Sequence, residues 1–540
     1  MTYRRLGLSA SVVVTAIAAV VIQSTAGIAD INPQADGRMN NVLNAPLPDS
    51  SAQFGSAPKL KPGVPFCTGT GPGTTATNVN TDCKQSSVGP HNETSIAIDP
   101  NDPNHMIGGA NDYQIVLNPA GQVAENILSQ AHVTIDGGAT WTDFPVFTDA
   151  TYQATGDPSV AFDDVGNAYY ATLGFRFVGP GNAQNPDVLV SHSTDGGKSW
   201  DVVRVAAGSG VATSVGDLLD KEYIVAWGKG NVMVTYGDFR LGQNTVTADT
   251  YDQVSHDGGN TWSTRVLLSR NLNDQSFVAT PVIAADGSIY VSFLNTTDTT
   301  TGRDDYEVDK VSPLTGAVIS GPVKVATTID GFTDAPIAFG RQTYQDSAFR
   351  SWAAGNIAAD PTNPTHLAVV WSDWTHTTPP SAPTDFSPYD WKTDADVRFS
   401  ESTNGGATWS APTDIARAGD QFQPWSAFDK NGNLRIGFFD RSYDSANHMY
   451  GYTVATVTSS AITFQQVTDQ LSDPTQGDRW FSRTTLNKSF PHPTAFLGDY
   501  SNIAVTTAGH VVAYWTDMRN TVDFGGRSGF GEDAFFGTAS

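Results

Sequence analysis

From Ser95 onward the chain repeats one unit: a short apolar strand ending in an acid or turn residue, a tight Gly/Asn turn, and a second strand ending in a polar cluster. The copies are Ser95-Ile96-Ala97-Ile98-Asp99, Ser159-Val160-Ala161-Phe162-Asp163, Tyr223-Ile224-Val225-Ala226-Trp227, Val282-Ile283-Ala284-Ala285-Asp286, Asn356-Ile357-Ala358-Ala359-Asp360, Trp425-Ser426-Ala427-Phe428-Asp429 and Asn502-Ile503-Ala504-Val505-Thr506. Their last residues are 64, 64, 59, 74, 69 and 77 positions apart, about one four-stranded antiparallel sheet per unit. A unit of this size buries its apolar faces only by stacking on its neighbours. Seven such sheets around an axis make an all-β propeller, the expected fold class, with six blades as the alternative count. Gly166-Asn167, Gly230-Asn231, Asp286-Gly287, Asn431-Gly432-Asn433 and Ala508-Gly509 supply the hairpin turns. With 51 Gly and 30 Pro, the composition favours short strands and tight turns over long helices.

Upstream of the repeats the chain reads as a leader and an arm. Arg4 and Arg5 precede an apolar stretch from Leu6 to Ile22, and small residues run on to Gly27-Ile28-Ala29. That order fits a secretory signal peptide over residues 1–29; a membrane anchor is the competing reading, because the run is almost long enough to span a bilayer. A cleaved leader implies a secreted protein, extracellular or periplasmic, with no membrane insertion after cleavage. Residues 30–86, rich in Pro, Gly, Asn, Ser and Thr, form an arm ahead of a propeller over residues 87–540. Cys67 and Cys83 most simply pair as a disulfide in that compartment; two cysteines without nearby histidines do not complete a zinc shell. The last repeat holds three strands, near 503–506, 511–515 and 532–537, so its outermost strand is expected from upstream of Ser95. A formal charge of -25 with no Lys/Arg run repels phosphate backbones and anionic lipid, which excludes nucleic acid as a partner.

A second motif lies inside the units: Thr134-Ile135-Asp136-Gly137-Gly138-Ala139-Thr140-Trp141, Ser193-Thr194-Asp195-Gly196-Gly197-Lys198-Ser199-Trp200, Ser255-His256-Asp257-Gly258-Gly259-Asn260-Thr261-Trp262 and Ser402-Thr403-Asn404-Gly405-Gly406-Ala407-Thr408-Trp409. The Asp accepts backbone N–H bonds of its own turn, the glycines allow positive φ, and the Trp packs between neighbouring sheets; Asn404 can still accept these bonds. The motif resembles the Asp-box, or bacterial neuraminidase repeat, of sialidases and related β-propellers. Gly156-Asp157-Pro158-Ser159, Asp220-Lys221-Glu222-Tyr223, Asp420-Gln421-Phe422-Gln423-Pro424-Trp425, Phe496-Leu497-Gly498-Asp499-Tyr500 and Trp515-Thr516-Asp517-Met518-Arg519 are similar to those of a large bacterial group of secreted sialidase-like propellers. This resemblance implies fold more firmly than activity.

In such a propeller the loops entering the first strands and those joining second to third strands open on one face, and the third-to-fourth turns lie on the other. Asp136, Asp195, Asp257 and Asn404 are therefore expected to be structural, and function is expected in the first set of loops, near the axis. Before the first strands stand Glu93, Asp157, Asp220-Lys221-Glu222, Gln423 and Asp499-Tyr500; after the second stand Asn111-Asp112-Tyr113, Arg176, Asp238-Phe239-Arg240, Asp373-Trp374, Asp440-Arg441 and Asp517-Met518-Arg519. The chain has only six glutamates, and two of them, Glu93 and Glu222, enter first strands. The resemblance to sialidases implies arginines that hold a sugar carboxylate, a tyrosine nucleophile activated by a glutamate, and an aspartate as general acid/base. On this chain Arg176, Arg240, Arg441 and Arg519 are the candidate clamps, with Glu93 and Asp112 as further substrate-binding groups. Glu222 with Tyr500 or Tyr113 is the candidate nucleophile pair, and Asp157, Asp238 or Asp499 the acid/base. For any single arginine, pairing with a neighbouring Asp to stitch adjacent blades is the plainer role.

Two features depart from sialidases. Their Phe/Tyr-Arg-Ile-Pro motif precedes the first Asp-box, whereas Phe175-Arg176-Phe177-Val178-Gly179-Pro180 follows it with the proline displaced, and seven repeats stand where six blades are expected. The expected function is a secreted, sialidase-like exo-glycoside hydrolase. The alternatives are a non-catalytic glycan- or protein-binding propeller and a polysaccharide lyase with a Tyr or His base. A glycan or glycoconjugate is the expected partner and a monomer the expected state. No cofactor is expected; a structural Ca²⁺ is compatible with an Asp-rich loop such as Thr297-Asp298 to Asp304-Asp305, which lacks EF-hand spacing. The ten histidines show no paired ligand spacing and read as surface or turn residues, and no Gly-x-Ser-x-Gly elbow, P-loop or dinucleotide fingerprint occurs.

Overall fold

Each of the seven apolar repeats lies in the innermost strand of a four-stranded antiparallel blade. The computed structural model describes residues 61–83, 89–117, 123–127, 129–147, 151–152, 154–179, 182–210, 216–241, 246–269, 275–298, 303–330, 334–338, 341–347, 349–379, 391–478, 495–524 and 527–540. The expected leader and the arm before residue 61 lie outside them. Innermost strands are His91–Asp99, Ala154–Phe162, Gly216–Trp227, Gln275–Ile283, Ile357–Ala359, Gln421–Phe428 and Asn502–Val505, heading blades 1 to 7 of a β-propeller. The predicted hairpin glycines, Gly166, Gly230, Gly287, Gly432 and Gly509, all take positive φ between the first and second strands of their blades.

Burial follows position in the blade. Second strands such as Leu367–Asp373, Leu434–Asp440 and Val511–Asp517 are buried along their whole length, because other blades cover both faces. Outer strands such as Asp201–Ala206 and Ile462–Gln466 are largely exposed. The core is a ring of interfaces: Ile107, Tyr170 and Leu189 pack blade 1 on blade 2, Val369, Trp371 and Tyr306 pack blade 5 on blade 4, and Tyr452, Trp515 and Phe535 pack blade 6 on blade 7.

The arm closes the ring. Asn78–Asn80 pairs with Asp533–Ala539 and is the outermost strand of blade 7, as the three-stranded last repeat predicts. Cys67–Gly69 pairs with Trp141–Pro145 at the outer edge of blade 1, and the Cys67–Cys83 disulfide ties the two segments together.

The four Gly-Gly turns share one hydrogen-bond pattern. Asp136, Asp195, Asp257 and Asn404 each accept from the backbone N–H four residues on, at 2.9, 2.9, 2.8 and 3.0 Å. Gly137, Gly258 and Gly405 donate to carbonyls of Asn104, Gly230 and Thr365 at the first-to-second turns of their own blades, so these turns lie on the face opposite the strand entries. Trp141, Trp200, Trp262 and Trp409 each pack against the preceding blade, Trp141 stacking on Tyr514 of blade 7.

One register differs from the sequence reading. Ala284 N–H bonds the Ser288 carbonyl just as Asp163 bonds Asn167 and Asp429 bonds Asn433, so Ala284, two residues before Asp286, closes the fourth first strand. The apolar run there continues past the strand end, which hides the boundary.

Candidate functional site

Counting six residues back from the closing residue of each first strand gives Glu93, Asp157, Lys221, Val278, Ala354, Gln423 and Tyr500. Five of these, Glu93, Asp157, Lys221, Val278 and Gln423, have left-handed backbone, with φ of 53, 59, 55, 54 and 48°. Each falls where the pairing of first and second strands shifts register, so each is a bulge. Such backbone costs on the order of 1–3 kcal/mol per residue, and a bulge re-aims the side chain. Here it directs side chains of separate blades to one another at the axis. Hydroxyls two residues further on fix the blades beside them: Ser95 accepts from Val160 N–H at 3.1 Å and Ser159 from Ile224 N–H at 3.2 Å.

Lys221 holds the charged half of this ring. Its Nζ is 2.6 Å from Asp157 Oδ2, 2.6 Å from Asp499 Oδ2 and 3.1 Å from Glu93 Oε1. Arg350 pairs with Asp499 through two hydrogen bonds, and its Nη2 is 3.9 Å from Glu93 Oε1. Asn111 donates to Glu93 Oε2 at 2.8 Å and accepts from the Asp157 N–H at 2.7 Å. The other half is apolar and aromatic: Tyr223 packs T-shaped on Tyr500 and tilted against Trp425, beside Val278 and Ala354, and Tyr500 OH donates to the Pro158 carbonyl at 3.0 Å. Glu93, Asp157, Lys221 and Asp499 are all buried, none more than 3 % exposed.

Protonation is divided unequally between the acids. Burial opposes ionisation of Glu93, but Lys221, a hydrogen bond from Asp157 and Arg350 outweigh it and hold its carboxyl below the usual range. Burial and then the Glu93 charge push Asp157 well up, against the pull of Lys221. Glu222 is pushed up by burial and by Asp157, and neither of its carboxyl oxygens has a hydrogen-bond partner. Asp220 is raised to about 6 by burial, against the pull of Lys221. The arrangement thus sets two carboxyls pushed in opposite directions side by side, with two cations and a buried tyrosine.

Of the residues expected to form a site, Glu93, Asp157, Asp499, Glu222 and Tyr500 converge here; Glu222 and Tyr500 are not hydrogen-bonded to each other. The Tyr113 side chain lies outside the described residues. Asp238 is off the axis, bound by Arg265 at 2.7 Å. Asp112 faces His91 Nε2 at 3.2 Å in a separate buried cluster with Asp82 at the ring seam. The candidate arginines serve their own acids: Arg176 pairs with Asp187 at 3.1 Å, Arg240 with Asp249, Arg441 with Asp420 at 3.2 Å, and Arg519 with Asp517 at 2.8 Å and Asp469 at 2.6 Å. All but the Arg519–Asp469 pair lie within a single blade. Among the described residues the guanidinium that reaches the axis is Arg350, which the sequence reading missed because it precedes the three-residue first strand of blade 5, the shortest of the seven.

Two histidines also differ from the expectation of surface or turn positions. His91 and His132 are buried, His132 Nδ1 lies 2.7 Å from Asp143, and Asp112 and Asp82 outweigh burial to raise His91 to about 10. Donor atoms of Asp82, His91 and Asp533 all lie within 4.8 Å of one another, a set that can hold a metal ion, as can the Cys67, Cys83 and Asp143 group were the disulfide absent. In the Asp-rich loop, Asp305 pairs with Lys324 at 2.8 Å and Asp304 accepts from Thr296; residues 299–302 lie outside the described residues.

No protein-family model matches this chain, and no curated protein matches it. Solved structures similar to it include a polysaccharide lyase of family PL25, an ulvan lyase, with 13% identity, covering 69% of this chain and 80% of that one at a TM-score of 0.43. A Hadza microbial sialidase is 11% identical over 77% of this chain and 75% of its own at 0.41. The GH93 α-L-arabinofuranosidase of Fusarium graminearum, solved with arabinobiose, is 13% identical over 82% of this chain and 92% of its own at 0.40. The fold stands on the strand topology itself: the chain is a seven-bladed, antiparallel β-propeller.

Proposed function

We propose that this propeller acts on glycans at its axis, as a secreted glycoside hydrolase with Asp157 as proton donor and Glu93 as the ionised carboxylate. The observation that carries this reading is geometric: Glu93 and Asp157, from adjacent blades, meet at the axis on Lys221 Nζ at 3.1 and 2.6 Å and share Asn111, and their surroundings push the two carboxyls in opposite directions, Glu93 down and Asp157 up. Cleavage of a glycosidic bond needs both: an acid to protonate the leaving oxygen and a carboxylate to stabilise the developing cation or to direct the attacking group. Lys221 and Asn111 orient the pair, and Arg350 with Asp499 fixes Lys221 from the far side. Within this reading an anionic, sialic-acid-like sugar rests on Arg176 and Arg240, which pair with Asp187 and Asp249 of their own blades and keep 35% and 44% of their side chains exposed. Arg441 and Arg519 are spent on the framework and take no part.

One observation favours a second reading, glycan binding without turnover: the axial acids are buried and saturated by Lys221 and Arg350. Release of aryl aglycone from a panel of sialosides, uronides and neutral glycosides separates the two. Hydrolysis of one member, lost in Asp157→Asn and Glu93→Gln while substrate binding persists, supports the hydrolase. Silence across the panel from folded protein leaves the binding propeller.

A further inference from the structure

Away from the axis, the same face carries a cavity of about 720 Å³ between blades 5 and 6. Its walls come from the loops entering the first strands and from the second-to-third-strand loops of these two blades, which bring together Asp346, His376, Lys392, Asp394 and His448. The size falls within the ~300–1,000 Å³ range of small-molecule sites.

The floor is rigid and built from buried polar groups. Arg441 is fully buried; its Nη1 donates to Asp420 Oδ2 at 3.2 Å and to the Asn447 and Gln345 carbonyls at 3.0 and 3.4 Å, and its Nη2 donates to Ser347 Oγ at 2.7 Å. Asn447 in turn donates to Asp420 Oδ2 at 2.9 Å and to the Thr393 carbonyl at 3.1 Å, and accepts from the Asp420 N–H at 2.8 Å. This network spans every loop that contributes to the cavity. It also holds Asn447 in left-handed backbone, φ 57°, and Asp346, which pairs with His448, is left-handed as well, φ 51°.

The walls carry groups that are positioned but not consumed. His448 Nε2 and Asp346 Oδ2 are 2.8 Å apart, each with about a third of its side chain exposed. His376 is 55% exposed and fixed through Nδ1 to Asp396 at 2.8 Å, which leaves its Nε2 edge outward. Asp394 Oδ1 is buried without a hydrogen-bond partner. Acceptors (Asp346, Asp394) and donors (Lys392, His376) therefore share one polar hollow, which among the described residues no Phe, Tyr or Trp lines.

We propose that this cavity is a second binding site, for a neutral, hydroxyl-rich saccharide unit. Sugar hydroxyls are at once donors and acceptors, so they satisfy the carboxylates and the cationic donors together. A uronate or sialate brings a third carboxylate against Asp346 and Asp394 and is disfavoured. Arg441, far from clamping an anion, builds the floor. The site shares the glycan class of the axial reading but stands on its own side chains.

Titration calorimetry of the full secreted chain carrying Asp157→Asn, with neutral oligosaccharides and their uronate and sialyl counterparts, tests this. Binding of a neutral oligosaccharide is expected, weakened at least tenfold by Asp394→Ala and by His448→Ala, with near-ultraviolet dichroism unchanged; anionic counterparts bind at least tenfold more weakly. In the chain with Asp157 intact, the two cavity variants leave any aryl-glycoside hydrolysis unaltered. Binding that both cavity variants leave intact, equal binding of uronates, or no binding at millimolar sugar overturns the proposal. Cavity binding with a silent hydrolysis panel overturns only the axial hydrolase.

Discussion

Lys221 of blade 3 donates to Asp157 of blade 2 at 2.6 Å, and both residues sit in left-handed backbone at bulges in their strands. The bulges bring the two side chains to the axis, where Asp499 of blade 7 and Glu93 of blade 1 complete the ion cluster. A cation so enclosed cannot be removed cheaply, because the acids it serves stay buried.

Lys221→Met is therefore expected to cost about 3–5 kcal/mol, the range for breaking a buried ion pair from one side. Urea unfolding should show the loss as a lower midpoint at unchanged slope. A midpoint within about 0.5 kcal/mol of the parent would mean that the remaining acids neutralise by protonation at no net cost, and that Lys221 does not organise the axis.

The arm is expected to be part of the fold. Removing residues 30–90 deletes the outermost strand of blade 7 and exposes the edge of Asp533–Ala539, an open invitation to pair with another chain. The truncated chain should aggregate or lose cooperative unfolding, and Cys67→Ser with Cys83→Ser should lower stability by about 2–4 kcal/mol. A monomeric, cooperatively folding truncation would show that three strands suffice for the last blade.

Much of this architecture is legible in the residues because its determinants are local. First strands, hairpin glycines and the Asp/Asn-Gly-Gly turns are short contiguous patterns, and the missing last strand follows from a three-stranded final repeat. The acids entering first strands also converge as expected, since register alone places Glu93, Asp157 and Tyr500 at equivalent positions. The same register places Lys221, which stands among the residues entering first strands, beside them. The arginines were legible in part: pairing with a neighbouring Asp is the plainer role for each, but a guanidinium on a long stem reaches an Asp of its own blade as readily as the next blade or the axis, so Arg176 pairs with Asp187 and Arg441 with Asp420. Arg350 enters through a segment that repeats nowhere else in the chain.

Asp252 should make stability depend on pH in an unusual direction. Both of its carboxyl oxygens are buried without partners, and burial together with Asp309 raises it to about 8. The folded state then binds a proton that the unfolded chain has lost above about pH 4, so this group's contribution falls as pH rises from about 4 to 8 and is flat above. Relative to Asp252→Asn, the parent should lose up to about 1.4 kcal/mol per pH unit across that window. Parallel stability–pH curves for the two proteins would show that Asp252 is ionised or solvated in the folded state.

The Gly-Gly turns allow the two faces of the propeller to be tested apart. Asp257 accepts from Thr261 N–H at 2.8 Å, Thr261 Oγ1 at 2.7 Å and Ser255 Oγ at 2.9 Å, all within its own turn on the face away from the strand entries. Asp257→Ala removes the acceptor from three donors that largely regain water, so a loss of about 1–2 kcal/mol is expected. Asp257→Asn should cost less, because Asn404 makes the same backbone bond at 3.0 Å in the fourth copy. Neither change should alter glycan binding or hydrolysis measured well below the melting transition. A drop in either, at unchanged stability, would place function on the turn face and move the search for the site away from Lys221 and its acids.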